Sequence, residues 1–572
     1  MVPHRWEQSA RALLAVLMCA IWLGGCDEPQ LAIPSKDFRV VVVEPQAPPP
    51  LQLAVQACAG LHNRRTGGSV YVQQEAHDPA WLDELAVKPA ATLSATEFLK
   101  SCVVAFPSCV RYRYKDQQEL LPAILTAAAA LQAVPLDDEL GVKCAKPAMD
   151  AVETLQDHNT RYLATKYVFE QFGAQTTGLA MLNPGYDQAA SDPAQPKLNA
   201  QMKSSLVDFV FSQKLFVVFL VNGCLDGNPE KELLTQIVNA GHWPTPLGVY
   251  GYNNSWLVAG GYVHEAQTRC LDSRNMGAIP SEVHNLSFFS TRSPAITAAK
   301  GVTQNPPEPI AYDPTKTYVA FVVGDGDNVQ YMMTARRDWF RKRVENCAKP
   351  GEICPPLTWS ISPHLARLAP DVLKWYYQQS RKTGKDYFTL PPSGHLYAYP
   401  SSLAKADQDK FAAATQEDAG ILGVSGTVHW DWLTTWHDAE DHFLPKYATA
   451  NGAIRGVFPV NVPYLFPAFP WWPAEQFYTL LAGEDGGKVA VFRPRSWRGI
   501  NNDGDEFFLS PQKMADELAG YPKGTITWVY MTSDGGLTLE NSFTAMAKLL
   551  PAHVALVSAD TAAKLALAAG QK

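Results

Sequence analysis

Gly324-Asp325-Gly326-Asp327-Asn328 follows an apolar run and sets two carboxylates two residues apart, in a turn that its glycines allow to be tight. Paired carboxyl groups suit acid/base cleavage: one protonates a leaving oxygen while the other attacks or activates water. The same alternation of Asp also suits a small hard cation. Further polar clusters follow other apolar runs. These are Ser362-Pro363-His364, the loop LPPSGHLYAYP from Leu390 to Pro400, and HWDWLTTWHDAEDH from His429 to His442. Asn461, Tyr464, Phe469, Trp471 and Trp472 come after the next run, and Arg493, Arg495 and Trp497 after the one beyond it. Asp503, Asp505, Glu506 and Asp534 complete the set.

The elements that must position these groups are short strands. Apolar runs begin at Tyr318, Leu357, Asp386, Ile421, Gly456, Val489, Ile526 and His553, with helical stretches such as PDVLKWYYQQSRKTG and PQKMADELAG between most of them. Alternation of this kind predicts a (β/α)8-type barrel over residues 315–572, with an open doubly wound sheet as the other arrangement. In a barrel the residues just after the strands share one rim. Asp325, Asp327 and Asp431 are then the expected catalytic carboxylates. Asn328, His364, Ser393, His395, Tyr397, Tyr399, Trp430 and Arg493 are the expected substrate contacts. Ring faces suit the apolar faces of sugars, and a carbohydrate is the expected ligand. No cofactor or metal is expected.

Ahead of that domain, Arg5 and Arg11 form a basic region before a short apolar run, Ala12 to Gly25, and Leu23-Gly24-Gly25-Cys26 reads as a lipobox. Residues 1–26 are therefore expected to be a lipoprotein signal peptide with Cys26 acylated, tying the protein to a membrane of a bacterial cell envelope. Residues 27–50 read as a proline-ended tether, 51–300 as an α/β region of one or two subdomains, and 301–314 as a linker. Export agrees with the cysteines. Beyond Cys19 and Cys26 an even set remains, and Cys102/Cys109 and Cys347/Cys354 are the pairs that would close short loops. The net charge is −8 and no basic block occurs, which argues against nucleic acid as a partner.

Gly394-His395-Leu396-Tyr397-Ala398-Tyr399-Pro400 resembles the signature of the GxGYxYP glycoside hydrolases, with Leu396 where that signature has its second glycine. AGLHNRR with VYVQ after it, and HNLSFFS at His284–Ser290, resemble the family's N-terminal part. GDGDN and WSISPHLARLAP at Trp359–Pro370 resemble its C-terminal domain. The resemblance covers nearly all of the mature chain. It implies an α/β region followed by a barrel-like domain classed with glycoside hydrolases. It supplies Asp325, Asp327, Gly394, Tyr397, Tyr399 and Pro400 as motif positions, without catalytic roles. Two other functions compete: carbohydrate binding without turnover, and a metal-dependent hydrolase such as a deacetylase built on His429, Asp431, His437, Asp441 and His442. Against the latter, His437 and His442 are five residues apart and fall on different faces of a helix.

Overall fold

The computed structural model describes residues 38–182, 204–220, 222–240, 242–251, 263–432, 434–460, 468–495, 497–500, 506–531 and 539–570. The expected signal peptide and Cys26 lie outside them, as do Asn461, Tyr464, Asp503, Asp505 and Asp534.

The expected tether is not one from residue 38 onward. Its Arg39-Val40-Val41-Val42 forms β1 (Arg39–Val42), the central strand of a parallel sheet with β2 (Val70–Gln73) and β3 (Ala91–Ser94) in the order β2-β1-β3. Val40 and Val41 are buried, the state a β-branched run favours between two parallel neighbours. The prolines after it start helix α1 (Pro49–Thr66), where a missing N–H is harmless in the first turn. A second parallel sheet has the order β5-β4-β6, from β4 (Ser108–Tyr112), β5 (Val134–Asp137) and β6 (Lys146–Asp150). The third has the order β10-β9-β7-β8, from β7 (Leu179–Met181), β8 (Phe216–Val218), β9 (Leu247–Gly251) and β10 (Met276–Ile279). Helix α2 (Val263–Asp272) precedes β10.

Four disulfides join Cys58 to Cys102, Cys109 to Cys144, Cys224 to Cys270 and Cys347 to Cys354. The short Cys347–Cys354 loop matches expectation. The Cys102–Cys109 pair does not form: Cys102 lies in the helix Ala95–Ala105 and bonds to α1, while Cys109 lies in β4. Four such bridges mark a protein of an oxidising compartment outside the cytoplasm. Among the described residues no helix is long and apolar enough to cross a membrane.

The 301–314 segment is irregular but pinned. Asn305 donates to the carbonyls of Ser380 and Asp386, and the Glu308 carboxylate accepts from Ser558. Beyond it, β11 (Thr317–Val323) is flanked by β20 (Ile526–Met531) on one side. On the other, its first half meets β21 (Val554–Val557) and its end meets β12 (Leu357–Ser360). Helices α3 (Ala335–Cys347) and α4 (Pro370–Thr383) bracket β12, and β13 (Asp386–Thr389) pairs with it in parallel. The strand expected from Ile421 begins later. Helix α5 (Lys405–Leu422) runs through Ile421 to a left-handed Gly423, and β14 is Gly426–Trp430. It pairs with β15 (Gly456–Val460), which meets β17 (Lys488–Phe492); β16 (Tyr478–Ala482) is antiparallel to β17. A backbone bridge from Leu390 to Thr427 links the two sheets. A two-stranded ribbon, β18 (Arg498–Ile500) and β19 (Glu506–Phe508), follows β17.

A separate apolar core lies among these strands, formed by Val322, Val428, Phe458, Phe492 and Trp528 with one face of helix α6 (Ala559–Ala569). That face is Ala559, Ala562, Ala563 and Ala566, the repeat of a helical stripe. Alanine leaves room for a helix to lie close against strands from both sheets.

Candidate functional site

The carboxyl ends of β11 to β15 share one side because these strands run parallel. Asp325 and Asp327 stand there directly after β11. Their turn is held from below: the Gly326 N–H donates to Ser360 Oγ at 2.9 Å, and Ser360 Oγ donates to the Val323 carbonyl at 3.0 Å. The fully buried Arg336 donates to the carbonyls of Gly324 and Ser360. Asp325 takes a positive φ of 60°. Asn328 accepts from the Tyr331 N–H at 3.0 Å, capping the short helix Val329–Met333.

Asp327 keeps part of its surface open to solvent but is set deep among protein atoms. Desolvation, reinforced by the Asp325 carboxylate and opposed by its own backbone N–H and Arg336, pushes its carboxyl up to about 7. A carboxylic acid of that kind holds a proton near neutrality and can deliver it.

The N-terminal region borders this turn. The Val329 N–H donates to the Pro280 carbonyl at 2.8 Å, just beyond β10, and Trp81 Nε1 donates to the Met333 carbonyl at 2.6 Å. Pro280 thus borders the short helix that follows the carboxylate turn. Sequence reasoning did not find this neighbour, since nothing in the local pattern of either segment announces the other.

The loop after β13 is built as a junction. Gly394 has a φ of 96°, which favours glycine. Ser393 is fully buried; its Oγ lies 2.9 Å from the Ala398 carbonyl and 2.7 Å from the Trp430 carbonyl, and accepts from the Trp430 N–H at 2.8 Å. Tyr397 and Ala278 of β10 exchange two backbone bonds, both 3.0 Å. The Tyr399 N–H donates at 3.0 Å to Asp272, whose carboxyl burial raises well above the usual range. Leu396 explains its own departure from the signature. It is 2% exposed and fills a slot walled by Gly277 and Gly248, where a Cβ on Gly277 would come within 2.6 Å of Leu396 Cβ.

The expected substrate contacts divide accordingly. Tyr397 and Trp430 are partly exposed, and their rings pack edge to face with centroids 5.1 Å apart. Tyr399 is fully buried against Trp430 and Trp432 instead of standing at an open mouth. His364, with its pKa driven well below normal by burial, bonds through Nε2 to the His395 carbonyl at 2.7 Å. His395 Nδ1 meets Asp418 at 2.7 Å. Arg493 spends its donors on the carbonyls of Trp472, Pro473 and Gln476.

Asp431 is enclosed. It is 0% exposed and accepts from Ser401, Trp432 and Thr435, with His429 Nε2 3.2 Å away. It fixes the turn after β14 rather than facing solvent. The residues of the deacetylase alternative do not gather: His429 is buried beside Asp431, while His437 stacks on Trp471. Among the described residues no group of three or more His, Cys, Asp or Glu side chains converges as metal ligands.

Residues 315–463 match the family model described as "GxGYxYP putative glycoside hydrolase C-terminal domain". A crystal structure from Bacteroides thetaiotaomicron VPI-5482, described as a "putative hydrolase", is similar with a TM-score of 0.68 and 17% identity, over 95% of this chain and 98% of that one. At that identity the likeness is one of fold, and it spans both the N-terminal sheets and the C-terminal domain. A search of curated proteins gives no match.

Proposed function

We propose that this chain, whose residues 315–463 match the GxGYxYP C-terminal domain model, hydrolyses glycosidic bonds of an oligo- or polysaccharide outside the cytoplasm. One observation carries the reading: Asp327, with its carboxyl near 7, beside Asp325 at the end of β11. In this mechanism Asp327 gives its proton to the leaving oxygen. The Asp325 carboxylate attacks the anomeric carbon or activates water there. The partly exposed Tyr397 and Trp430 supply ring faces for a sugar, and Asp431 positions the loop that follows Trp430.

The C-terminal strands are read as a distorted (β/α)8-type barrel. Support comes from the Tyr530 N–H bonded to the Arg495 carbonyl at 2.7 Å and the Trp497 N–H bonded to the Tyr530 carbonyl at 2.8 Å. These bonds join the segment after β17 to β20, and α6 touches strands of both sheets. A barrel mouth would gather the β11 carboxylates and the β13–β14 rings around one hollow.

The test is release of reducing ends from a panel of glycans between pH 5 and 9. A proton donor titrating near 7 makes kcat/KM fall as pH rises through 7, because the deprotonated acid cannot protonate the leaving group. A rate that stays level from pH 6 to 9 removes Asp327 from that role, and absence of turnover on every glycan removes the hydrolase reading. Binding without turnover is the second reading. It is favoured by the enclosure of Asp431, which leaves Asp325 and Asp327 as the solvent-facing members of the three expected catalytic carboxylates.

The lipobox further assigns the protein to a membrane surface through acylated Cys26, an assignment with which the four disulfides agree. Cys26→Ser is expected to move the expressed protein from the membrane fraction to the soluble fraction. Retention in the membrane fraction contradicts the anchor.

A further inference from the structure

Trp471 is the one aromatic residue among the large apolar side chains that the described structure leaves exposed, at 38%. It is also held still. Its Nε1–H donates to Glu440 Oε2 at 2.8 Å, and the adjacent Trp472 Nε1–H donates to Glu440 Oε1 at 2.8 Å, so one carboxylate fixes both indoles. The His437 ring covers one face of Trp471, with centroids 3.4 Å apart and planes 12° apart. Phe469 meets Trp471 edge to face and stacks on Trp472 at 4.4 Å. Arg493 also holds Trp472, its guanidinium 5.9 Å from that ring and bonded to its carbonyl at 2.9 Å.

An indole with free rotation would fold down onto the surface to shed water from its apolar face. Here the carboxylate and the imidazole keep the ring from doing so. The cluster derives from segments that follow β14 and β15, on the side of the sheets where Asp325 and Asp327 follow β11.

We propose that Trp471 is a second, non-catalytic stacking subsite that takes the C–H face of a pyranose ring in a polymeric glycan. The polarised C–H groups of such a face meet the electron-rich face of the indole, and pre-ordering the ring lowers the entropy lost on binding. The inference rests on the carbohydrate reading above and extends it to the length of the substrate, which is then a chain long enough to contact both Trp471 and the carboxylates.

The probe is Trp471→Ala, with Trp471→Phe as the conservative variant and melting temperatures as the check on folding. On the cleaved polysaccharide, the alanine variant is expected to raise KM about tenfold at unchanged kcat, the phenylalanine variant to recover most of it, and a disaccharide-sized chromogenic substrate to show no change. Equal KM values for the wild type and the alanine variant overturn the subsite. Affinity electrophoresis through gels containing xylan, mixed-linkage β-glucan, galactomannan or dextran separates this idea from the hydrolase reading. Retardation of the wild type that the alanine variant loses supports the subsite even where no glycan is cleaved, and then only the hydrolase reading falls. Equal mobility of the two, or no retardation on any glycan, overturns the subsite. So does a loss of self-association in the alanine variant without a glycan effect, which would make Trp471 a contact between copies.

Discussion

Asp327→Asn is expected to lower turnover of a cleaved glycan by about 10³-fold, the usual contribution of a positioned proton donor. The amide preserves the shape of the carboxyl and cannot release a proton at neutral pH. Stability is expected to move the other way. In the folded protein the carboxyl keeps its proton up to about 7, whereas in the unfolded chain it loses it near the ordinary value. Between those limits the native state binds more protons than the unfolded state. The carboxyl therefore weakens the fold progressively as pH rises from about 4 to about 7. The amide has no such term, so its melting temperature at pH 7.5 should equal or exceed that of the wild type. Lost turnover with unchanged or higher melting identifies a catalytic acid. Lost turnover with lower melting identifies a structural residue, and full turnover excludes Asp327 from the chemistry.

Asp386→Ala is expected to cost about 3–5 kcal/mol of stability, the range for removing one partner of a buried ion pair. Asp386 is 0% exposed and Arg343 1% exposed, 3.2 Å apart. The same carboxylate accepts from Trp359 Nε1 at 2.8 Å and from Thr383 Oγ1 at 2.5 Å. Removing it leaves the α3 guanidinium buried without a counter-charge, and strips partners from β12 and from the end of α4. Urea unfolding at constant pH measures the effect. A loss below about 1 kcal/mol would show that water reaches Arg343 and that the pair is not sealed.

The strands of the second half were legible because parallel strands covered on both faces read as continuous apolar runs. That signal is silent about where a helix ends, so Ile421 and Leu422 read as strand although they complete the last turn of α5 before Gly423. β1 was hidden for a different reason: four residues beside a proline-rich stretch look like a spacer until β2 and β3 flank them. The Cys58–Cys102 pair spans 44 residues, and proximity of that kind belongs to the tertiary fold.

The GDGDN turn was found because glycines after an apolar run mark a tight turn, and the two aspartates place carboxylates at the end of a strand. The aromatic loop was located, but its purpose was not. Ser393 and Tyr399 have side chains that suit a sugar and suit a domain junction equally well, and only burial separates the two. Leu396 is the clearest case. It stands where the signature has a glycine, and its side chain fills space that Gly248 and Gly277, far away in the chain, leave open.

The helix α6 that fills the inner core carries a lesson about biogenesis. β11 ends at Val323 and α6 begins at Ala559, so the first wall of the domain is translated long before its filling. Until residue 559 is made, those strands lack the helix that covers their apolar faces, and domains generally fold as units. Chains broken off before residue 559 would lack the helix that covers Val428, Phe458 and Trp528, and would expose that apolar surface.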